Sequence, residues 1–217
     1  MLYNPSIFLD RQDAGKKLAA KLKDTKLKNP VVFAIPNGGL PVGAEIAKTL
    51  KCPLDILIVR KIQIPENPEA GFGAVTTDGT IVLNPQITPF LGLIKKEIKK
   101  LAQEAFKEIK RREKVFKFKK RPLSFTRKTI VLTDDGLASG YTMLAAIKSL
   151  RRLKPKKIIV AVPTASGSAI KVVRRLADKL ITLYQHPIKL PFAVASSYCH
   201  WHDLTDQEVL KYLKKNV

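Results

Sequence analysis

The sequence predicts an α/β fold with a mostly parallel central sheet flanked by helices. Three observations predict it. Short β-branched, apolar runs alternate with stretches whose apolar residues recur every three or four positions. Several turns that join a run to the next helical stretch carry glycine. Most connections between successive runs are long enough for a crossover helix, which parallel strands require.

Taken in order, a short N-terminal arm precedes a helix from Asp10 to Lys23, with Leu18, Ala19 and Leu22 on one face. "NPVVFAI" (29–35) reads as a short buried strand. "PNGGLPVG" breaks it, and a helix follows with Val42, Ile46, Ala47 and Leu50 at helical spacing. "LDILIVRK" (54–61) reads as a second strand. "IQIPENPEAGFGA" reads as a loop, because it holds two prolines and two glycines. "GAVTTDGTIVLN" reads as a hairpin turning at Asp78–Gly79, since Asp-Gly is a favoured two-residue turn.

Leu91 to Glu113 reads as a long helix, with Leu91, Ile94, Ile98, Leu101, Ala105 and Ile109 stepping by three or four. A basic connection leads to a strand at 129–133, an acidic turn, and a helix with Met143, Ala146, Ile147 and Leu150 on one face. "KKIIVAV" is a further strand, followed by the loop "PTASGS" and a helix to about Asp178. "LITLY" is another strand. The chain ends in "PFAVASSYCHWHD" and a short helix that Thr205 and Glu208 can cap. No repeat and no second domain stand out, so one domain over 1–217 is expected.

The totals fit this reading. A chain of 217 residues with 45% hydrophobic content can bury a core, which excludes global disorder. No run has the length of a membrane-spanning helix and no signal peptide opens the chain, so a cytoplasmic protein away from membranes is the expectation. Cys52 and Cys199 fit free thiols or one disulfide. The formal net charge of +22 fits a polyanionic partner, or equally a lysine-rich surface suited to a hot or salty habitat.

The chemistry concentrates in "IVLTDDGLASGYT" (130–142). Ligands of open α/β sheets bind at the carboxyl ends of strands. Three turns follow strands there: "PNGG" at 36–39, "DDGLASGYT" at 134–142 and "PTASG" at 163–167. A helix N-terminus offers unpaired N–H groups to an anion, and glycine lets the anion reach the backbone. Ser139, Gly140, Tyr141 and Thr142 can wrap a phosphate. Asp134 and Asp135 would repel that phosphate, but suit a sugar diol, whose two hydroxyls donate to carboxylates. A phosphate beside a diol is a ribose 5-phosphate.

"VLTDDGLASGYT" resembles the phosphoribosyl-pyrophosphate (PRPP) binding motif of type I phosphoribosyltransferases. The chain is most similar to a branch with "DR..AG..LA" near its start and "VRK....NPE...GA" in the middle, and the resemblance covers most of residues 10–205. It implies the type I fold, with a mobile loop or hairpin at about 62–84 and a small hood from about 184–205. It implies that PRPP is held by Asn37, Gly38 and Gly39, and by Asp134, Asp135, Gly136, Leu137, Ala138, Ser139, Gly140, Tyr141 and Thr142. Arg60 and Lys61 resemble the pair that meets pyrophosphate, and with Asp134 and Asp135 they are the implied catalytic groups. Mg2+ would be bound mainly through PRPP and water, with Asp134 and Asp135 as protein ligands. The resemblance also implies a cis peptide in the pyrophosphate loop, a homodimer, and transfer of 5-phosphoribosyl to a nitrogenous acceptor. Pro163, Thr164, Tyr198 and Trp201 fall on the acceptor side, the last two as core, as a hood or as a stacking surface.

Three departures matter. Asn37 stands where the branch often has arginine, and Ser139 where threonine is usual. Ala138 stands where 6-oxopurine enzymes have aspartate, which argues against hypoxanthine or guanine and leaves adenine-like, pyrimidine or unfamiliar acceptors. Two other readings share the motif: a nucleotide-sensing regulator that binds RNA through the basic run 107–121, with Phe116 and Phe118 interleaved, and a basic structural protein whose site has drifted. The run equally fits a solvated helix end with two core phenylalanines. Cys199, His200, His202 and Asp203 lie close in sequence, but their spacing matches no familiar metal set.

Overall fold

The structure is a computed structural model that describes residues 7–117, 125–188 and 192–216. Helix α1 (Arg11–Lys23) begins where the Asp10 carboxylate accepts from the Asp13 N–H at 2.8 Å. Strand β1 (Pro30–Ala34) leads into α2 (Gly39–Leu50), and β2 (Leu54–Ile56) follows. Strand β6 (Thr129–Thr133) leads into α4 (Tyr141–Arg151), and β7 (Lys157–Ser166) into α5 (Gly167–Val173). Strand β8 (Lys179–His186) comes next, and α6 (Asp206–Asn216) closes the chain. The five strands form one sheet in the order β2-β1-β6-β7-β8, with every pair parallel.

Both faces of this sheet are covered, so its strands are apolar almost throughout. Successive side chains of β1 go to opposite cores. Phe33 joins Leu132 and Val160 under Met143, Ile147 and Leu150 of α4. Val32 and Ala34 join Val131 and Ile159 under Leu18 and Leu22 of α1, Ile46 of α2 and Val209 of α6.

A second sheet is antiparallel, in the order β3 (Val59–Ile64), β4 (Asn67–Thr76), β5 (Ile81–Leu83). One side packs on α3 (Lys95–Val115) through Ile62, Phe72 and Ala102. The other contributes Ala74 and Val82 to the core beneath α4.

Several expected boundaries are corrected. "LDILIVRK" is two strands in different sheets. The Leu57 N–H still bonds to the Ala34 carbonyl at 3.0 Å, and then the chain leaves the parallel sheet. No turn residue marks that exit, because Leu57 and Ile58 are both buried. The expected loop 62–74 is mostly strand. Its glycines are packing devices: a Cβ on Gly71 would come within 2.1 Å of Lys61 Cγ. The turn at Asp78–Gly79 has three residues, closed by Thr76 N–H to the Thr80 carbonyl, with Gly79 at φ +79°.

Helix α3 begins at Lys95 rather than Leu91, because Gly92 sits at φ +64° after a 3-10 turn over Thr88–Leu91. "PTAS" continues β7, since Thr164, Ala165 and Ser166 pair with Tyr184, Gln185 and His186. Helix α5 ends at Val173, well short of Asp178. In the basic run, Arg111 bonds Glu108 and Asp206, and Phe116 is buried in the core shared with α2 and α6. Phe118 and the rest of that run lie outside the described residues.

The core predicts its own sensitivity. Phe33 is fully buried and meets Phe125 edge-on at 5.5 Å. Phe33→Ala should cost about 3–5 kcal/mol in urea unfolding. Phe90→Ala, at a side chain 85% exposed, should change stability by less than about 0.5 kcal/mol.

Candidate active site

Strands β1 and β6 are neighbours in register, with Ala34 opposite Thr133, so the turns after them emerge side by side. The Ile35 N–H bonds to the Thr133 carbonyl at 2.9 Å, carrying the pairing one residue further. Beyond that point the turns touch. A Cβ on Gly38 would lie 1.9 Å from Asp135 Oδ2, and one on Gly39 would lie 2.8 Å from the Asp134 Cα. Close approach therefore demands these glycines; Gly38 itself has an ordinary φ of −61°. The Pro36–Asn37 peptide is cis, as the resemblance implies.

The acidic turn is anchored to the next strand as well. The Leu137 N–H donates to the Thr164 carbonyl at 3.0 Å, the Ser166 N–H to the Leu137 carbonyl at 2.9 Å, and the Ser166 hydroxyl to the Ala138 carbonyl at 2.6 Å. Gly140, at φ +82°, then turns the chain into α4. The first N–H groups of a helix have no partner within it, so this end is ready for an anion.

A cleft of about 300 Å³ lies over the turn. Its floor is Asp134, Gly136, Leu137, Ala138, Ser139, Gly140, Tyr141 and Thr142. Its far wall is Lys61 with Ala70, Gly71 and Gly73 from the hairpin, and Val194 closes one side. Backbone at a helix start, a carboxylate and an ammonium thus face one space.

Lys61 and Arg60 take opposite sides of β3. Lys61 lines the cleft. Arg60 lies among Arg111, Arg112, Glu108 and Asp206, where burial and then Arg112 lower its pKa. Arg112 also donates to Asn37 Oδ1 at 3.1 Å, while Asn37 Nδ2 donates to the Leu204 carbonyl. The neutral side chain at 37 therefore has a guanidinium on it. Hydrogen bonds from Arg111, and the charge of both arginines, hold Glu108 down to about 2.

The two aspartates are unequal. The Asp135 side chain is only 14% exposed, and its Oδ2 accepts from Arg11 Nε at 2.8 Å. The Asp134 Oδ1 accepts from the Asp135 N–H at 2.9 Å, and among the described residues no cation pairs with it. Burial raises the pKa of both, and the neighbouring charge of Asp135 pushes Asp134 well above the usual carboxylate range. Arg11 works against the rise at Asp135.

The expected acceptor-side residues do not line the cleft. Tyr198 is 4% exposed, and its hydroxyl donates to the Asp135 carbonyl. The Trp201 ring lies against the Arg11 guanidinium, 3.7 Å from its central carbon to the ring centroid. Thr164 is fully buried and accepts from the Ser197 hydroxyl at 3.1 Å, and Pro163 lies in β7. These groups hold the floor from below. Within the hood segment, Val194 reaches the cleft; residues 189–191 lie outside the described residues. Sequence reasoning missed Arg11, Arg112 and Val194 as site residues. The "DR" pair near the start was the available signal for Arg11.

Among the described residues no group of three or more His, Cys, Asp or Glu side chains could hold a metal ion. Cys199 is exposed, and His202 bonds Glu208 at 3.0 Å. The donor set of the acidic turn does suit Mg2+ shared with a ligand: two adjacent carboxylates, of which only Asp135 has an arginine.

Comparison with known proteins agrees with the fold. The family model "Phosphoribosyl transferase domain" matches residues 7–191. A Mycobacterium tuberculosis (strain H37Rv) protein, provisionally named a phosphoribosyl transferase, is 34% identical over 96% of this chain. The match covers 47% of that protein, so the chain spans about half the length of the curated relatives it matches. The crystal structure of TT1426 from Thermus thermophilus superposes with a TM-score of 0.77 at 31% identity, covering 96% of this chain and 98% of that one. AQ2163 from Aquifex aeolicus shares the fold, with a TM-score of 0.52 at 12% identity over 82% of this chain and 75% of that one. No helix among the described residues is long and apolar enough to cross a membrane.

The raised Asp134 carries a stability prediction. A carboxyl whose folded pKa lies above its unfolded value adds stability below about pH 4 and loses it as pH rises through the folded value. Asp134→Asn removes the cost of the buried charge. Its melting temperature should exceed wild type at pH 7–8, by roughly 2–4 °C for each kcal/mol recovered, and the two should converge near pH 4. Differential scanning fluorimetry across pH 4–8 checks this.

Proposed function

The chain belongs to the phosphoribosyl transferase family, and on that premise we propose that it transfers 5-phosphoribosyl from PRPP to a nitrogen acceptor, releasing pyrophosphate. The observation that carries the reading is the close approach of the Gly38–Gly39 turn to the acidic turn, which itself floors the cleft. The 5-phosphate would sit on the backbone N–H groups and hydroxyls of Ser139, Gly140, Tyr141 and Thr142. The ribose hydroxyls would donate to Asp134 and Asp135. Pyrophosphate would lie toward Gly38, Gly39 and Lys61.

In the reaction, the bond between the anomeric carbon and a pyrophosphate oxygen breaks and a bond to the acceptor nitrogen forms. Positive charge builds on the ribose ring and negative charge on the leaving group. The two carboxylates stand on the ribose side, and Lys61 and the backbone N–H groups on the pyrophosphate side, so both charges meet their opposite. Mg2+, held mainly by PRPP and water and by Asp134 and Asp135, would supply further charge to the leaving oxygens. The hairpin wall and Val194 would limit water at the reacting carbon. Ala138 and Leu137 offer no carboxylate to an acceptor, which favours bases other than 6-oxopurines.

Pyrophosphate release with PRPP, Mg2+ and a panel of nucleobases tests this. Release should require both PRPP and one class of base, and Lys61→Ala should slow it about 10²-fold. A folded protein that releases nothing with any base would contradict the transferase reading.

A further inference from the structure

Arg11 is unusual for a residue in the first turn of a surface-facing helix. Its side chain is 7% exposed. Burying a guanidinium is costly unless its donors are used, and here two of them meet acceptors within the protein. Nε gives its proton to Asp135 Oδ2 at 2.8 Å, and Nη1 to the His202 carbonyl at 2.8 Å. The guanidinium face lies on Trp201 and, further off, over Tyr198 at 5.9 Å. The Tyr198 hydroxyl in turn holds the Asp135 carbonyl. One arginine thus joins the start of α1, the acidic turn and the segment after β8. Neither Arg11 nor Asp135 lines the cleft; Asp134, next to Asp135, does, so Arg11 meets the site through the acidic turn.

The Asp135 carboxylate is fixed from two sides. Arg11 holds Oδ2, and the Gly38 backbone lies so close that no side chain fits between them. The groups facing it are Arg11, Asp134 and the Tyr198 hydroxyl; the His202 ring turns away to Glu208. Arg11 is the cation of that set.

We propose that Arg11 is a positioning residue: it holds the Asp135 carboxylate oriented for the ribose hydroxyls, and it links occupancy of the site to Trp201. The inference rests on the phosphoribosyl reading and extends it. Lysine cannot replace Arg11, because an ammonium has no planar face for the indole and no fork to reach a carboxylate and a carbonyl at once.

Trp201 is the only tryptophan in the chain, so its fluorescence reports this contact directly. The experiment titrates PRPP with Mg2+ into wild type, Arg11→Lys and Asp135→Asn, each first shown to be folded by circular dichroism. Wild-type emission should change saturably. Arg11→Lys should bind PRPP about ten-fold more weakly and lose the wild-type emission change, because the contact with Trp201 is gone. Asp135→Asn should lose the emission change. If Arg11→Lys does not fold, the emission changes of wild type and Asp135→Asn decide the matter. Tight PRPP binding by wild type with no change at Trp201, or an Arg11→Lys protein with unaltered affinity and emission change, overturns the role of Arg11 and leaves the transferase reading standing. No PRPP binding by folded wild type overturns both.

Discussion

The rest of the site depends on how closely two turns approach each other. Strands β1 and β6 run parallel and in register, and hydrogen bonding continues one residue past their ends. The acidic turn must then pass over the Gly38–Gly39 turn with no room for a side chain between them. That contact puts two carboxylates beside two backbone segments suited to anions. Any ligand that uses both must carry anionic groups at each end and hydroxyls between them. PRPP has that layout.

Such an arrangement is poor for stability and useful for binding. Adjacent buried carboxylates repel each other and lose solvation, which raises the pKa of both. The fold answers half of the problem with Arg11, supported by Trp201 and the His202 carbonyl. The other half, Asp134, is left facing the cleft. A ligand bringing a cation and a diol would relieve that cost on binding. Unfavourable charge held in place by a rigid surround is a common feature of functional sites. Here the surround is the parallel sheet below and Thr164, Ser166 and Tyr198 at the sides.

The alternation of strands and helices was legible because it is written in local periodicity. The acidic turn was legible because two aspartates after an apolar strand are followed by Gly140 and Thr142; "DDG" alone fits a helix-capping turn as well. What the sequence concealed is long-range. The exit between β2 and β3 lies in an unbroken apolar run, since buried residues continue straight through it. Residues 62–74 looked like a loop because two prolines and two glycines read as breakers, whereas Gly71 and Gly73 serve close packing within the hairpin. Arg11 and Asp135 are 124 residues apart, and Arg112 and Asn37 are 75 apart, so no local pattern joins them. Tyr198 and Trp201, for which the sequence left core, hood and stacking roles open, pack in a small core with Phe8, against Arg11 and the acidic turn.

The central claim is that the acidic turn and the glycine turn form one PRPP site. Calorimetric titration of PRPP with Mg2+ into wild type and the Asp134→Asn/Asp135→Asn double variant tests it most directly. The account predicts saturable, Mg2+-dependent binding at one site per chain, lost in a double variant that remains folded. Equal binding by both proteins, or none by folded wild type, would contradict it.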